Sequence, residues 1–179
     1  LSVHESDIHV MVRGKASGEV EFGNGLCVAE NPDGWILDYA LYQQQAPGDG
    51  QKLVESLERQ NRLQINQHLK AIVADRGFDS AKCSKMLGKH GIENHLCPRN
   101  PGRLKARMQD PGFCQLQRRR GGTEARIAIL KNHGRSRVCR AKGFANRSRW
   151  IGWAVVAHNM WWIARKALDL DRQTELQAA

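Results

Sequence analysis

The chain has 179 residues and 41% hydrophobic content, which is enough for one compact domain with its own core and a tight fit for two. Its 28 Lys and Arg against 18 Asp and Glu give a formal net charge of +10, so nucleic acid is the first partner to test, although solubility alone would also explain such a charge. The five cysteines form no C-x-x-C pair, which argues against a zinc ribbon or a disulfide framework and favours reduced thiols in a cytoplasmic compartment. The most apolar stretch, residues 150–164, is shorter than a membrane span of roughly 18 residues and contains His158 and Asn159, so we expect a buried helix and no membrane partner.

Short strands joined by turns are predicted for the first part of the chain. Apolar residues alternate over residues 8–12, 19–29 and 35–42, and the sequence Asn-Pro-Asp-Gly at 31–34 marks a tight turn before the third segment. Three consecutive strands of this kind predict an antiparallel meander. The chain begins at Leu1 rather than Met and enters this pattern almost at once, so we expect it to be part of a longer protein, although processing would leave the same signature.

Helical and strand patterns alternate in the next part of the chain. After residue 48 the hydrophobic period becomes that of an amphipathic helix, with Asp49 placed to cap its start. Residues 69–74, LKAIVA, form the compact apolar run typical of a buried central strand, and this run stops at Asp75. A short helix over residues 80–90 and another strand over 92–97 are predicted to follow.

Residues 98–123 are rich in Arg and Gly, are interrupted by prolines, and predict a loop excursion. From Thr123 the pattern is helical again, and a tryptophan-rich helix is predicted to begin near Trp150. We expect its tryptophans to pack in the core, with stacking on exposed bases as the lesser alternative. Residues 1–168 would then form one domain, and residues 169–179 a disordered tail.

This order of elements predicts an α/β fold, in which helices cover the faces of a mixed sheet. It is similar to the element order of a ribonuclease H-like domain, truncated at the N-terminus. Unrelated proteins share that order, so the function has to be argued from the residues of a site.

The first candidate site segment is residues 74–80, ADRGFDS. Asp75 follows a buried strand, at the sheet edge where α/β folds place their ligands, and Gly77 permits a sharp turn directly afterwards. A purely structural alternative is helix capping, which suits Asp79 or Ser80 better and leaves Asp75 available for function.

The second candidate segment begins at Arg120 and continues through Glu124 to Lys131. On a continuous helix this spacing places the three side chains within one quadrant, although two glycines follow Arg120 and weaken that assumption. A lone acid among arginines is more often a surface ion pair, so this segment depends on the first one for its weight.

Together the two segments resemble the catalytic core of bacterial insertion-sequence DDE transposases. One block of that family has the form D-[RK]-G-[FY]-D-S, which residues 75–80 match, and a later block has Arg, three residues, Glu, six residues and Lys, which Arg120, Glu124 and Lys131 match. The later block often includes a Tyr shortly before the Arg, where this chain has Gln117. The resemblance extends to the stretches SVHESDIHVMVRGKASGEVEFGN and WAVVAHNMWWIAR, so it covers most of the chain.

The resemblance implies a site in which two Asp and one Glu hold two divalent metal ions, Mg²⁺ or Mn²⁺, because these hard ions prefer oxygen ligands. Asp75 and Glu124 would be the catalytic metal ligands. The family places its first Asp on a strand upstream of this chain, so the chain would carry two thirds of the site and be inactive alone. Asp38, in the middle of a predicted strand, is the best substitute within the chain.

The resemblance also implies DNA as the partner, both as element ends and as target, with a homodimer bound to it in the bacterial cytoplasm. Alternatives are an inactive DNA-binding remnant of a transposase and a metal-dependent nuclease of the same fold. For any single basic residue, a solvated loop is as good an interpretation as phosphate binding. The residues we expect to contact phosphate or DNA are Arg76, Arg120, Arg126 and Lys131, with Arg135, Arg137, Arg140 and Lys142 nearby in sequence.

Overall fold

The computed structural model describes residues 5–12, 20–132 and 139–178, without the side chains of residues 11, 12, 20, 21 and 174–178. The predicted basic residues Arg135 and Arg137 lie outside the described residues. Within these ranges the strands are β1 His9–Val12, β2 Val20–Gly23, β3 Leu26–Glu30, β4 Ile36–Leu41, β5 Ala71–Ala74 and β6 Glu93–Leu96. The helices are α1 Asp49–Arg62, α2 Ala81–Lys89, α3 Pro101–Arg107, α4 Pro111–Asn132 and α5 Phe144–Ala178, and a 3-10 turn covers Arg76–Phe78.

The strands pair two by two in the described part of the chain. β1 and β2 are antiparallel, as are β3 and β4, whereas β5 and β6 are parallel, with Ile72 opposite Asn94. A mixed α/β architecture is therefore confirmed. The single continuous sheet that we expected is not formed among these residues, and the ribonuclease H-like topology stays a prediction.

The predicted meander of three strands is wrong, because the segment 19–29 is divided at Asn24 and Gly25. The Asn24 amide donates to the backbone carbonyl oxygens of Asp7 and Tyr42 at 2.7 and 2.9 Å. These bonds hold residue 24 between the end of β2 and the start of β3, where the strand is interrupted. Gly25 packs against Ala46, whose Cβ lies 2.7 Å from where a Cβ on residue 25 would be. The strand is therefore broken at Asn24 and Gly25, although the alternation of apolar residues over the segment 19–29 is continuous in the sequence.

The two helices around the first candidate segment begin at polar or turn residues. Gly48, and not Asp49, occupies the capping position of α1, and Asp49 instead pairs with Lys52 at 2.8 Å. The start of α2 is as predicted, since the Ser80 hydroxyl accepts a hydrogen bond from the Cys83 amide at 3.2 Å.

The predicted loop over residues 98–123 is wrong, because this segment forms α3 and the first half of α4. Asn100 caps α3, and Pro101 and Pro111 each stand at a first helical position, where proline's fixed φ is compatible with a helix. Phe113 is fully buried, 4.7 Å from the Arg107 guanidinium and stacked on His95. The predicted disordered tail also differs, since α5 continues through it to Ala178.

Two apolar clusters form the core, and α4 contacts both halves of the molecule. The first cluster joins the β3–β4 hairpin to α4 and α5, and the second joins α1, α2, β5 and β6. Because α4 contacts β3, β5, β6 and α5, it places its polar face beside the end of β5. The buried members are Ile36, Leu130, Ile151 and Val155 in the first cluster, and Leu57, Cys83, Leu87 and Leu96 in the second.

The turn between β3 and β4 is held by residues far away in the sequence. The Asn159 amide group bonds both the N–H and the carbonyl of Ile36 at 3.0 Å, and His158 Nε2 lies 3.1 Å from the Gly34 carbonyl oxygen. Gly34 has φ +88° and lies directly over the Arg126 guanidinium. These contacts dock α5 on the hairpin.

The prediction that the α5 tryptophans pack in the core is wrong for several of them. Trp153 and Trp161 are 73% and 51% exposed, because the buried face of α5 is the one that carries Ile151, Val155 and His158. Met160, at 64% exposure, also lies off the buried face. Among the described residues, no helix combines the length and the apolar character that crossing a membrane requires.

Candidate functional site

Asp75 lies directly after β5, where the chain enters the 3-10 turn. Its Oδ1 accepts a hydrogen bond from the Gly77 amide at 2.9 Å, so the carboxylate caps this turn. We had expected no structural role for Asp75, and this bond corrects that expectation. Among the described residues Oδ2 makes no hydrogen bond, and the side chain is exposed, which leaves one oxygen for a ligand.

Arg99 fixes the turn that carries Asp75. Its guanidinium donates to the carbonyl oxygens of Arg76 and Gly77 at 2.8 and 2.7 Å, and its amide donates to Asp79 Oδ2 at 2.8 Å. Two backbone carbonyls and one carboxylate of the segment 75–80 are thereby tied to Arg99, three residues beyond the end of β6. Sequence reasoning missed Arg99, because it lay at the start of the segment predicted to be a loop.

The bare face of Gly77 lies against two carboxylates. A Cβ at this position would meet Asp49 Oδ2 and would lie 3.0 Å from Asp75 Oδ1. Glycine is therefore needed here for close approach, in addition to its ability to turn. Asp49 is a carboxylate beside the candidate site that the sequence presented only as a helix cap.

Glu124 is presented by α4, which continues through both glycines as the spacing argument required. Its Oε1 accepts a hydrogen bond from Arg120 Nη1 at 2.9 Å, one turn earlier on the same face. The Glu124 side chain is 69% exposed, so solvent or a ligand reaches its other oxygen.

Asp75 and Glu124 line one cleft of about 420 Å³, together with Arg76, Arg120, Gly77 and Cys97. Two acidic and two basic residues from the predicted set, separated by up to 49 positions, therefore meet at one place. The cleft combines carboxylate oxygens, which are the ligands that hard cations prefer, with guanidinium groups, which are donors suited to phosphate oxygens.

Two predicted site residues are not among those that line this cleft. Lys131 lies on the same face of α4 as Glu124, two turns further on. Arg126 is occupied elsewhere, 3.4 Å from the Glu30 carboxylate and with its guanidinium 4.9 Å from the Trp162 ring centre. We therefore remove Arg126 from the phosphate-binding set, because both its charge and its planar face are already used.

Asp38 is not suited to replace a missing carboxylate. It accepts hydrogen bonds from Arg59 Nε and Nη2 at 2.9 and 2.8 Å and from the Ser56 hydroxyl at 2.6 Å. Its side chain is 9% exposed, and both its oxygens are occupied. The structure gives Asp38 a role in packing β4 against α1.

Gln117 replaces the tyrosine of the resemblance and has a structural role. Its amide donates to the His95 carbonyl oxygen at 2.7 Å, which ties α4 to the end of β6. This bond helps to fix the helix that carries Glu124.

The donor set suits a hard divalent cation. Asp75 Oδ2 and Glu124 Oε2 are carboxylate oxygens without protein hydrogen bonds in the described part of the chain, and Mg²⁺ is commonly held by one or two carboxylates with water and phosphate oxygens. No group of three or more His, Cys, Asp or Glu side chains among the described residues is arranged to hold a metal ion. The cleft therefore fits a cation that shares its ligands with solvent and phosphate.

The fold is a mixed α/β domain, and its cleft combines two carboxylates with two guanidinium groups. The family model for the transposase DDE domain matches residues 13–160, which is most of the chain. The chain belongs to the DDE transposase family, and the resemblance to it is confirmed. No curated protein and no solved structure matches the chain.

Proposed function

We propose that this chain supplies part of the catalytic site for DNA transposition, by metal-dependent cleavage and strand transfer at the ends of an insertion sequence. The observation that carries the proposal is the cleft in which Asp75 and Glu124 lie beside Arg76 and Arg120. Family membership supports a reaction on DNA. The net charge of +10 is consistent with binding a polyanion.

Each residue of the cleft has a role under this proposal. Asp75 Oδ2 and Glu124 Oε2 would hold Mg²⁺ or Mn²⁺, which when bound activates the attacking oxygen and stabilises the leaving one. Arg76 and Arg120 would bind the non-bridging oxygens of the reacting phosphate, and Lys131 a phosphate further along the DNA. Arg120 also orients Glu124 through the bond at 2.9 Å, and Arg99 holds the turn that presents Asp75.

The third carboxylate of the family's site has no counterpart in this cleft among the described residues. Asp38 is committed to Arg59. Asp49, beside Gly77, is paired with Lys52 at 2.8 Å and does not line the cleft, so the lining contains only Asp75 and Glu124 as acids. We therefore propose that the chain is a fragment of the transposase and joins no DNA strands by itself. We also propose that the protein binds DNA as a homodimer and acts in the cytoplasm.

Binding of Mn²⁺ to the purified chain tests the site without requiring strand transfer. Electron paramagnetic resonance of free Mn²⁺ should show a bound ion whose affinity falls more than about tenfold in Asp75→Asn and in Glu124→Gln, because each removes a ligand charge. Glu58→Gln is the matched control, since Glu58 is an exposed carboxylate on α1 outside the cleft. Undiminished binding in either site variant would contradict the assignment.

An inactive DNA-binding remnant is the second candidate, favoured because no third carboxylate lines the cleft in the part of the chain that the structure describes. The two candidates differ in a chain extended upstream to include a further Asp. Such a protein, given element ends and Mg²⁺, should join strands in a reaction abolished by Asp75→Asn. DNA binding with neither cutting nor joining would establish the remnant, and cutting without joining would establish a nuclease.

A further inference from the structure

A second cleft adjoins the candidate metal site, and Arg76 lines both. The second cleft has a volume of about 340 Å³ and lies between the turn after β5 and helix α3. Arg76 lines it together with Arg99, whose two bonds to the backbone of residues 76 and 77 fix the start of the shared wall. A strand whose reacting phosphate is held by Arg76 and Arg120, beside the metal ligands Asp75 and Glu124, would meet this cleft through Arg76.

The charge of the second cleft is positive and uncompensated. Arg76 and Lys105 line it, both are exposed, and in the described part of the chain neither side chain makes a hydrogen bond or an ion pair. No Asp or Glu is among the described residues that line it. Two free cations beside a phosphate-transfer site favour an anionic ligand.

The remaining wall of the cleft is apolar with one amide. Pro101, Leu104 and Met108 line it from α3 and its C-terminal end, and Gln109 adds an amide that can both donate and accept. Met108 is 51% exposed, so part of its side chain is open to a ligand. An apolar wall facing two cations suits a ligand that has a flat apolar ring and a phosphate.

We propose that this second cleft binds one unpaired nucleotide of the DNA strand that adjoins the reacting phosphate. Lys105 binds its phosphate, next to the reacting phosphate that Arg76 contacts. The base packs on Leu104 and Met108, and Gln109 donates to or accepts from the edge of the base. The volume of about 340 Å³, at the lower end of the roughly 300–1,000 Å³ typical of ligand pockets, suits a single nucleotide better than a duplex. The choice of DNA as the ligand rests on the proposed function.

Fluorescence anisotropy with a short labelled single strand tests the charge of the cleft, using the purified chain in EDTA. Lys105→Gln should weaken binding about fivefold and reduce the steepness of the logarithmic salt dependence by about 0.7, the value for one phosphate contact in a single strand. Arg103→Gln is the matched control, because Arg103 is an exposed cation of the same helix that lines neither cleft. Equal effects of the two substitutions would overturn the proposal in favour of general electrostatic attraction.

An abasic strand tests the apolar wall separately. Met108→Asn should weaken binding of the ordinary strand about fivefold, at the lower end of the values for base contacts, and should leave binding of a strand without bases unchanged. Met160→Asn on α5 controls for loss of an exposed methionine elsewhere. The proposal would be refuted if the two methionine substitutions had equal effects, or if Met108→Asn weakened binding of both strands equally. It would also be refuted if a matched duplex bound with the same dependence on Lys105, or if no single strand bound at all.

Failure of this inference and failure of the proposed function are distinguishable. Suppose that strand binding depends on Lys105 and Met108, but that Mn²⁺ binding is unchanged by substitution of Asp75 or Glu124. That result would support the nucleotide cleft and reject the metal site. The converse result would retain the metal site and reject the nucleotide cleft. Thermal melting monitored by circular dichroism confirms that each variant is folded.

Discussion

Replacing Asp38 by Asn keeps the shape of the side chain and removes the charge that holds Arg59. The carboxylate accepts three hydrogen bonds at 2.6 to 2.9 Å, and the bond from Arg59 raises the pKa of that guanidinium above its ordinary value. The Asp38 side chain is 9% exposed and that of Arg59 is 25% exposed. The variant therefore leaves a largely buried cation without its counter-charge.

Removing one partner of a buried ion pair costs about 3–5 kcal/mol in unfolding free energy. Because part of Arg59 reaches water, we expect the lower end, about 3 kcal/mol, which corresponds to a urea midpoint lower by about 1.5 M for an m value near 2 kcal/mol/M. Asp33→Asn is the matched control, since the Asp33–Lys166 pair is 57% and 45% exposed and should cost less than about 1 kcal/mol.

Urea unfolding followed by circular dichroism measures both variants under the same conditions. A loss below about 1 kcal/mol for Asp38→Asn would refute the assignment of a buried structural pair. Binding of Mn²⁺ should be the same in the folded variant as in the original chain. A loss of Mn²⁺ affinity would instead restore Asp38 as a metal ligand.

Three further measurements test local features of the fold. Burial raises the pKa of Tyr42 from 10.0 to about 12, so its contribution to stability should be complete below pH 10 and be lost as the pH rises towards 12; ultraviolet titration should show late phenolate formation that is absent in Tyr42→Phe. Gly34→Ala should cost about 1–2 kcal/mol in urea unfolding, chiefly because φ is +88°, while the new Cβ, 2.5 Å from Arg126 Nη2, displaces only the end of a flexible side chain; a loss below about 0.5 kcal/mol would contradict the strained turn. Ser80→Ala should cost about 1 kcal/mol by removing the bond to the Cys83 amide, and an unchanged urea midpoint would show that this cap contributes nothing.

Elements specified by short-range signals were predictable from the sequence. The run LKAIVA predicted β5, the Ser80 cap predicted the start of α2, and the helical period after Thr123 predicted the second half of α4. In each case the determinant is an apolar run or a cap within a few residues of the element.

Elements that depend on distant partners were not predictable. The segment 98–123 has the composition of a loop, but burial of Phe113 against His95 and Arg107 stabilises it as helices. Along α5 the apolar residues cover more than one face, so periodicity does not show which face turns inward. The hydrogen bonds between Asn159 and Ile36 of β4 determine which face of α5 is buried, and they join residues 123 positions apart.

The candidate site was predictable only in part, and for the same reason. Asp75 and Glu124 were identified through the family resemblance, whereas composition and spacing alone left each with a structural alternative. The roles of Arg99 and Asp49 follow from contacts across the fold that no local pattern announces. The pairing of Arg126 with Glu30, 96 positions away, could not be predicted from any local pattern either.

The hydrogen bonds that hold α5 on the turn at Gly34 have a consequence for synthesis of the protein on the ribosome. The β3–β4 hairpin leaves the exit tunnel early, but His158 and Asn159 emerge more than a hundred residues later. Until then the inner face of the hairpin lacks its cover, and two isolated strands are marginally stable in water. We expect protease protection of nascent chains at this turn to appear only when α5 has been released, so that the last helix sets the time at which the first half of the domain becomes native.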